Sequence, residues 1–131
     1  LIDIEPRDGY EKLFNYLTLN KYKYLEDHNE IIYYAKIFEF VRNNETAGFV
    51  WMYQIETNVY HVHMHIGTAH QGRILNRHVV NKFYRFATEL GAELLEASPI
   101  NKTLIDLYTR IGWHKASRNT ARLNLPYVWR K

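Results

Sequence analysis

The sequence predicts an α/β protein in which helices flank a mixed central sheet, with elements in the order β-α-β-β-β-α-β-α-β. Two periodicities carry this prediction. Side chains of residues 59–68 alternate between apolar and polar, as in a strand with one buried face. In residues 73–90 the apolar side chains recur every three to four positions, as in an amphipathic helix. A strand that leads directly into a long helix is typical of α/β proteins.

The first third of the chain predicts one strand and one helix. Residues 1–5 alternate between apolar and acidic side chains, which predicts a short strand that Pro6 ends. Apolar side chains recur at helical spacing in residues 10–19, and we expect Asp8 to cap that helix. Residues 21–30 are polar and rich in tyrosine, so an irregular segment and a short helix both stay open there.

A β-hairpin is expected to precede the alternating strand. Residues 31–41 are rich in β-branched and aromatic side chains, so at least their second half should be a strand. A polar turn at residues 42–46 joins it to a second strand over residues 47–56, and the pair predicts a hairpin. Residues 57–58 form the next turn and lead into the alternating strand.

The last third of the chain predicts two helices and the strands between and after them. The long helix should end at Gly91, because glycine readily adopts the left-handed backbone found at helix C-termini. Residues 92–97 are mostly apolar and predict a short strand buried on both faces. Asn101 is expected to cap a last helix that runs to Ile111. Two closing strands are expected over residues 113–115 and 122–129.

The composition is that of a globular protein. Of its 131 residues 47% are apolar, and the length predicts a single domain over residues 1–131. The absence of cysteine excludes disulfides, a thiolate nucleophile and Cys-based zinc sites, and it fits a cytoplasmic location. The net charge of +3 arises from interspersed basic and acidic residues, which is too weak to indicate a nucleic-acid partner. No apolar run approaches the roughly 20 residues that span a bilayer, and the polar start predicts no signal peptide.

Three histidines occupy alternate positions in the stretch "HVHMHIGTAHQGRILNR", residues 61–77. On a strand His61, His63 and His65 share one face, opposite an apolar face that should be core. We expect a polar layer next to the histidines: solvent, a cleft or a partner. The outer two are about 13 Å apart on a straight strand, so one metal ion cannot bind all three. No metal site is predicted.

Two further stretches resemble the GNAT superfamily of acyl-CoA N-acyltransferases. The stronger is "SPINKTLIDLYTRIGWHK", residues 98–115, where the family commonly has Asn, an apolar pair, Leu-Tyr and Gly-Phe in the same register. The matching residues are Asn101, Leu104-Ile105, Leu107-Tyr108 and Gly112-Trp113. The weaker is the turn after the alternating strand, where the family pattern is Gln/Arg-x-x-Gly-x-Gly/Ala at the start of a long helix. Gln71 matches, whereas Ile74 and Asn76 occupy the two glycine positions.

The resemblance covers essentially the whole chain and implies a GNAT-like mixed sheet with acetyl-CoA as cofactor. In the family the pyrophosphate binds backbone N–H groups at the helix start, where the helix dipole is also favourable. A β-branched side chain at Ile74 restricts the backbone and can crowd the phosphates, and an ordinary turn without a ligand stays open as the alternative. The cofactor-binding residues implied are Ile66, Thr68, Gln71, Gly72, Arg73, Ile74, Leu75, Asn76 and Asn101.

The resemblance also implies catalytic roles. Tyr108 aligns with the tyrosine that protonates the departing CoA thiolate in many GNAT enzymes, and a phenol with a pKa of about 10 suits that role. The family often places a base on the alternating strand or its neighbour. His65 and His63 are the residues we assign there, since a histidine with a pKa of about 6.5 suits removal of a proton from an amine. Glu56 and Glu96 are carboxylate alternatives, and a purely packing role stays open for each.

Two functions therefore compete. The first is an acetyl-CoA-dependent N-acetyltransferase that acts on an unidentified amine by direct transfer, since no cysteine is available for an acyl-enzyme. Its partners are acyl-CoA and an amine acceptor, and it is expected to be cytoplasmic. The second is a non-catalytic GNAT-fold binding or assembly protein with an eroded cofactor loop, such as a phage head or virion component. A protein partner or a homo-oligomer is compatible with both, whereas a nucleic acid or a membrane is not expected.

Overall fold

The elements of the fold follow the chain in an alternating α/β order. The computed structural model describes residues 1–99 and 101–130, apart from the side chains of residues 28–30. Ile100, within the stretch that resembles the GNAT motif, lies outside the described residues. In chain order the elements are β1 (Ile2–Arg7), α1 (Glu11–Leu19), α2 (Leu25–Tyr34), β2 (Lys36–Arg42), β3 (Glu45–Glu56), β4 (Val59–Ile66), a 3₁₀ turn (Thr68–His70), α3 (Arg77–Glu89), β5 (Leu94–Ala97), α4 (Lys102–Arg110), β6 (His114–Ser117) and β7 (Thr120–Asn124).

The strands form a mixed sheet in the order β1-β2-β3-β4-β5-β7-β6. β4 pairs with β5 in parallel, whereas β1 with β2, β2 with β3, β5 with β7 and β6 with β7 pair antiparallel. The predicted fold class, helices flanking a mixed central sheet, is confirmed. The predicted element order omits α2, the helix that covers part of the segment left open at residues 21–30. It also counts the closing strands β6 and β7 as one strand. The strand expected to run to Trp129 ends at Asn124.

Two helix starts differ from their predictions. Asp8 does not cap α1: the capping position is Tyr10, which makes no side-chain capping bond. The reason is that Gly9, with φ of +79°, turns the chain between Asp8 and the helix. α3 begins at Arg77 rather than near Arg73, because Asn76 has an extended backbone and its side chain accepts a hydrogen bond from the Val79 amide.

The residues predicted at the end of α3 and at the start of α4 are confirmed. The predicted burial of both faces of β5 is not. Gly91, with φ of +95°, follows Leu90 at the C-terminal cap of α3, and the Asn101 side chain accepts a hydrogen bond from the Leu104 amide at the start of α4. Leu95 and Ala97 are buried, but the alternate positions of β5 are only half-buried. The prediction that β5 is buried on both faces was therefore wrong, since one of those positions is the charged Glu96.

The chain divides into two compact units, and the first comprises Leu1–Tyr53 and His63–Ile74. Leu13 and Leu17, four residues apart on α1, are fully buried in its core. The other buried members of this cluster are Ile32, Ile37, Phe49 and Trp51. Burial of each large apolar side chain contributes about 1.5–3 kcal/mol, so this cluster is the main source of stability that holds α1 in the first unit.

A glycine lets β3 approach β4 closely in the first unit. A Cβ atom on Gly48 would collide with the carbonyl oxygen of His65 and lie 2.9 Å from the Cα atom of Ile66. Real side chains do not tolerate such contacts with backbone, so this position accepts glycine alone. The absence of a side chain at Gly48 thus determines where the end of β4 lies against β3.

The second unit comprises Gln54–Val62 and Leu75–Lys131 and is centred on Tyr84 of α3. The Tyr84 hydroxyl donates a hydrogen bond to the Ile111 carbonyl at 2.7 Å and accepts one from Nε1 of Trp113 at 2.9 Å. Burial raises the pKa of Tyr84 far above its ordinary value, so the hydroxyl keeps its proton. Trp113 in turn packs against the Tyr108 ring, with ring centroids 4.7 Å apart.

We predict that Tyr84→Phe lowers the free energy of unfolding by about 1–3 kcal/mol, because it leaves the Trp113 indole N–H and the Ile111 carbonyl buried without a partner. Urea denaturation measures the loss. Tyr127→Phe is the control: that ring also packs against Tyr84, but it is 37% exposed, and its loss should stay near 0.5 kcal/mol. Equal losses of unfolding free energy in the two variants would contradict the stabilising role assigned to the Tyr84 hydroxyl.

Candidate active site

The histidine face of β4 contacts aromatic rings at His63 and His65. The His63 ring stacks on Trp51, with centroids 5.6 Å apart, and on Tyr53, with centroids 5.7 Å apart. Trp51 and Tyr53 are two residues apart on β3 and so point to the same face of the sheet. The neighbouring strand thus supplies His63 with aromatic cross-strand partners, whereas a polar surrounding is seen at His61, which lies beside the Glu96 carboxylate. On the other face of β4 Tyr60 and Val62 are buried as expected, whereas Met64 and Ile66 are only half-buried.

His65 has a hydroxyl partner from α1. Its Nδ1 atom lies 3.2 Å from the Tyr16 hydroxyl oxygen, and the edge of its ring also meets Tyr22. Burial lowers the pKa of His65 below its ordinary 6.5, so the imidazole is neutral at neutral pH and able to accept a proton. The sequence reasoning missed Tyr16. The signal for it was the helical spacing that places Tyr16 next to the buried Leu13 and Leu17.

His61 and the carboxylate alternatives lie elsewhere. In the second unit the His61 Nδ1 atom is 3.6 Å from a Glu96 carboxylate oxygen, and Arg122 forms an ion pair with the same carboxylate at 3.0 Å. Glu96 is thus already paired with a cation. Glu56 is exposed at the end of β3. Among the described residues, no three metal-ligating side chains are grouped as a metal site would need.

Strand β4 extends past its pairing with β5. The parallel register covers Val59–His61, whereas β4 itself runs on to Ile66. For residues 62–66 the described part of the chain shows β3 as the strand neighbour of β4 and assigns no register with β5. An edge of this kind presents backbone N–H and C=O groups that can bind an extended ligand.

Backbone and side-chain hydrogen bonds hold the turn between β4 and α3. The Gly67 amide donates to the Ala47 carbonyl at 2.8 Å, the Gln71 side chain donates to the Ile66 carbonyl at 3.3 Å, and the Arg73 amide donates to the His70 carbonyl at 3.1 Å. Gly72 has φ of +79°, a left-handed backbone that favours glycine. Gln71, Gly72, Arg73 and Asn76 are exposed.

The two residues that replace glycines in this turn behave differently. The Ile74 side chain is 1% exposed. It therefore packs into the protein rather than on the exposed side of the turn. Asn76 is exposed and uses its side chain to bind the Val79 amide at 2.9 Å. Within the residues that the structure describes, no backbone acceptor is assigned to the amides of Gly72, Ile74, Leu75 or Asn76.

Asn101 and Tyr108 lie on the last helix, in the second unit. Asn101 caps α4, and Tyr108 is 5% exposed and packs against Trp113. The proposed residues are divided between the two units. The first unit holds His63, His65, Ile66, Thr68, Gln71, Gly72, Arg73 and Ile74. The second holds Leu75, Asn76, Asn101 and Tyr108.

Comparison with known proteins decides the family. The family profile described as "Acetyltransferase (GNAT) family" matches residues 2–113. The chain belongs to the GNAT acetyltransferase family. The match includes the β3–β4 hairpin, the turn before α3 and the whole of α4. Members of the GNAT family use acetyl-CoA as a co-substrate.

Solved GNAT structures have the same fold at low sequence identity. An acetyltransferase from Bacillus subtilis in complex with CoA is 15% identical, with a TM-score of 0.70 over 95% of this chain and 99% of that one. IAA acetyltransferase from Bacillus cereus is 12% identical, with a TM-score of 0.76 over 93% and 97% of the two chains. A dodecameric spermidine N-acetyltransferase from Vibrio cholerae is 11% identical, with a TM-score of 0.68 over 94% and 93%. No curated protein matches the sequence. Among the described helices of this GNAT chain, none is long and apolar enough to span a bilayer.

We predict that Asn76→Ala lowers the free energy of unfolding by about 1 kcal/mol, because the Val79 amide loses its cap, and that Asn76→Gly costs only a few tenths. Chemical denaturation measures both. Asn101→Ala removes the equivalent cap from α4 and is the matched control, with an expected loss close to that of Asn76→Ala. An Asn76→Ala variant as stable as the wild type would show that this cap does not stabilise α3.

Proposed function

We propose that this chain is an acetyl-CoA-dependent N-acetyltransferase that transfers an acetyl group directly to an amine and works as one GNAT-like domain. The observation that carries the proposal is the turn before α3. Its amides at Gly72, Ile74, Leu75 and Asn76 have no backbone acceptor among the described residues, and the Ile74 side chain is directed into the protein. Backbone donors next to a helix N-terminus suit a pyrophosphate.

The residues present fit a bound CoA. The amides of the turn would hold the pyrophosphate, and the exposed Arg73 guanidinium would add a charge-assisted hydrogen bond to a phosphate. Ile66 at the end of β4, Thr68 in the following 3₁₀ turn and Asn101 at the start of α4 are the further contacts that the family implies. When bound, acetyl-CoA supplies the activated thioester carbonyl that the amine attacks.

His65 and Tyr108 are the groups to which we assign the proton transfers. His65 removes a proton from the ammonium group of the acceptor, and His63 is the second choice for this role. A backbone N–H of β4 stabilises the negative charge that develops on the carbonyl oxygen. Tyr108 gives its proton to the leaving sulfur. The C–S bond breaks and an amide bond forms. The attacking nitrogen loses its second proton as the amide forms, and this proton restores the Tyr108 hydroxyl.

The non-catalytic alternative rests on the two replaced glycines. Asn76 supports it, since its side chain occupies the Val79 amide at the helix start. Ile74 does not support it, since a buried side chain leaves the phosphate side open. A phage or virion association, a cytoplasmic location and self-association stay predictions. The V. cholerae relative is described as dodecameric, which makes the oligomeric state worth measuring.

The first test is calorimetry with acetyl-CoA. We expect saturable binding at or below millimolar ligand, weakened several-fold by Arg73→Ala, because the variant loses a charge next to the phosphates. Arg85→Ala removes the same charge from an exposed position on α3 and is the control; it should bind like the wild type. No binding at millimolar acetyl-CoA would overturn the enzyme proposal and favour the non-catalytic alternative.

The second test addresses Tyr108. Tyr108→Phe should lower kcat by about 100-fold, the scale of a lost general acid, while affinity for acetyl-CoA changes little. Because the ring is kept, packing on Trp113 should survive. Steady-state kinetics with an amine panel measures kcat, and calorimetry measures affinity. An unchanged kcat would remove Tyr108 from the mechanism.

A further inference from the structure

Tyr16 on α1 contacts the residue assigned as base. Its hydroxyl oxygen lies 3.2 Å from Nδ1 of His65, and the two rings meet edge to face with centroids 5.5 Å apart. The two residues are 49 positions apart in the sequence. Neither the helical periodicity nor the family motifs assign a role to Tyr16.

The surrounding contacts fix the position of Tyr16. Its ring packs against Phe49, with centroids 5.1 Å apart. One turn earlier on α1, the Lys12 ammonium group pairs with the buried Glu39 carboxylate at 2.7 Å. On the other side a Cβ atom at Gly67 would lie 3.1 Å from the Tyr16 hydroxyl, so this hydroxyl sits closely against the backbone at the end of β4. The hydroxyl therefore has little freedom to leave His65.

We propose that Tyr16 is a positioning residue for proton removal: its hydroxyl oxygen accepts a hydrogen bond from Nδ1–H of His65 and so leaves Nε2 unprotonated as the base. The proposal rests on the proposed function of His65. Its physical basis is that the hydrogen bond made by one imidazole nitrogen determines which nitrogen carries the proton. Without such a partner the proton can move to Nε2, and the imidazole then presents a donor instead of a base.

During proton removal Tyr16 only accepts a hydrogen bond and transfers no proton. Nε2 of the neutral His65 takes one proton from the ammonium group of the substrate, and the neutral amine then attacks the thioester. The resulting imidazolium keeps its Nδ1–H bond to Tyr16, which stabilises the positive charge. The Tyr16 hydroxyl keeps its own proton throughout. His65 returns its extra proton to solvent after the transfer.

The groups that face His65 are neutral under these conditions. Burial raises the pKa of Tyr16, so this phenol remains protonated. Tyr22, the other ring described against His65, has its pKa raised to about 12 by burial and secondarily by Tyr24. No ion pair to His65 is described. Apart from burial, the contact with Tyr16 is thus the main influence on where the His65 proton lies.

The test is Tyr16→Phe in the full chain, read by ¹⁵N NMR of the His65 ring across pH without any ligand. In the wild type we expect the neutral ring to carry its proton on Nδ1. In the variant the proton should shift toward Nε2. The pKa of His65 should fall by about one unit, because the imidazolium loses an acceptor. Simple loosening of the packing would act in the opposite direction, since hydration would raise the pKa toward 6.5.

Kinetics supply the second readout. Tyr16→Phe should lower kcat about tenfold, leave affinity for acetyl-CoA unchanged, and move the acid limb of the pH profile to lower pH. Tyr10→Phe is the control, because this tyrosine, next to the start of α1, packs on Tyr33 and has no assigned role; it should keep the wild-type profile.

An unchanged tautomer in Tyr16→Phe, or a His65 pKa that rises toward 6.5, would overturn the proposal. Failure of the proposed function would be recognised separately, because the wild-type chain would then acetylate no amine in the panel. The NMR experiment needs no substrate, so it decides the Tyr16–His65 contact in either case.

Discussion

A buried carboxylate joins the elements around the candidate base. Glu39 on β2 is 1% exposed and accepts hydrogen bonds from Arg7 of β1, Lys12 of α1 and Thr46 of β3. Burial alone would raise the pKa of Glu39, but the bonds from Lys12, Thr46 and Arg7 outweigh it and hold the pKa below its ordinary value. A carboxylate taken out of water persists only when its oxygens are compensated in this way. The Lys12–Glu39 bond thus adds to the apolar packing of Leu13 and Leu17 that holds α1, and Tyr16 lies one turn beyond Lys12 on that helix.

Local patterns predicted the parts of this fold that local physics determines. The alternation of β4, the helical period of α3, and the roles of Gly91 and Asn101 at helix ends each depend on a few neighbouring residues. Strand β2 and the β2–β3 hairpin were predicted for the same reason. Helix α2 overlaps the segment at residues 21–30, whose polar, tyrosine-rich sequence shows no clear apolar stripe and so does not distinguish a helix from an irregular segment.

The candidate site was predictable only in part, because its surroundings come from distant segments. The spacing of the histidines showed that they share a face, but the rings opposite His63 belong to β3, and the hydroxyl on His65 belongs to α1. The motif showed which residues replace glycines, but not where their side chains point. Ile74 points inward and leaves the backbone donors of the turn in place, whereas Asn76 engages one amide of the helix start. The direction of a side chain therefore matters as much as its identity when a motif is judged to be eroded.

A falling pH lowers the stability of the first unit in two stages, and the first stage is the protonation of His65. His65 has a folded-state pKa below 6.5, so the unfolded chain takes up the proton more readily and stability begins to fall as the pH drops below about 6.5. The pKa of Glu39 is likewise depressed, so the stability that it contributes is present above about pH 4.5 and is lost only as the pH falls below that. Protonation of His65 also removes the lone pair that the proposed reaction needs. The group assigned as base therefore begins to oppose folding at a higher pH than the carboxylate that fixes α1. The burial that keeps His65 neutral thus ties the proposed activity and part of the stability to the same proton.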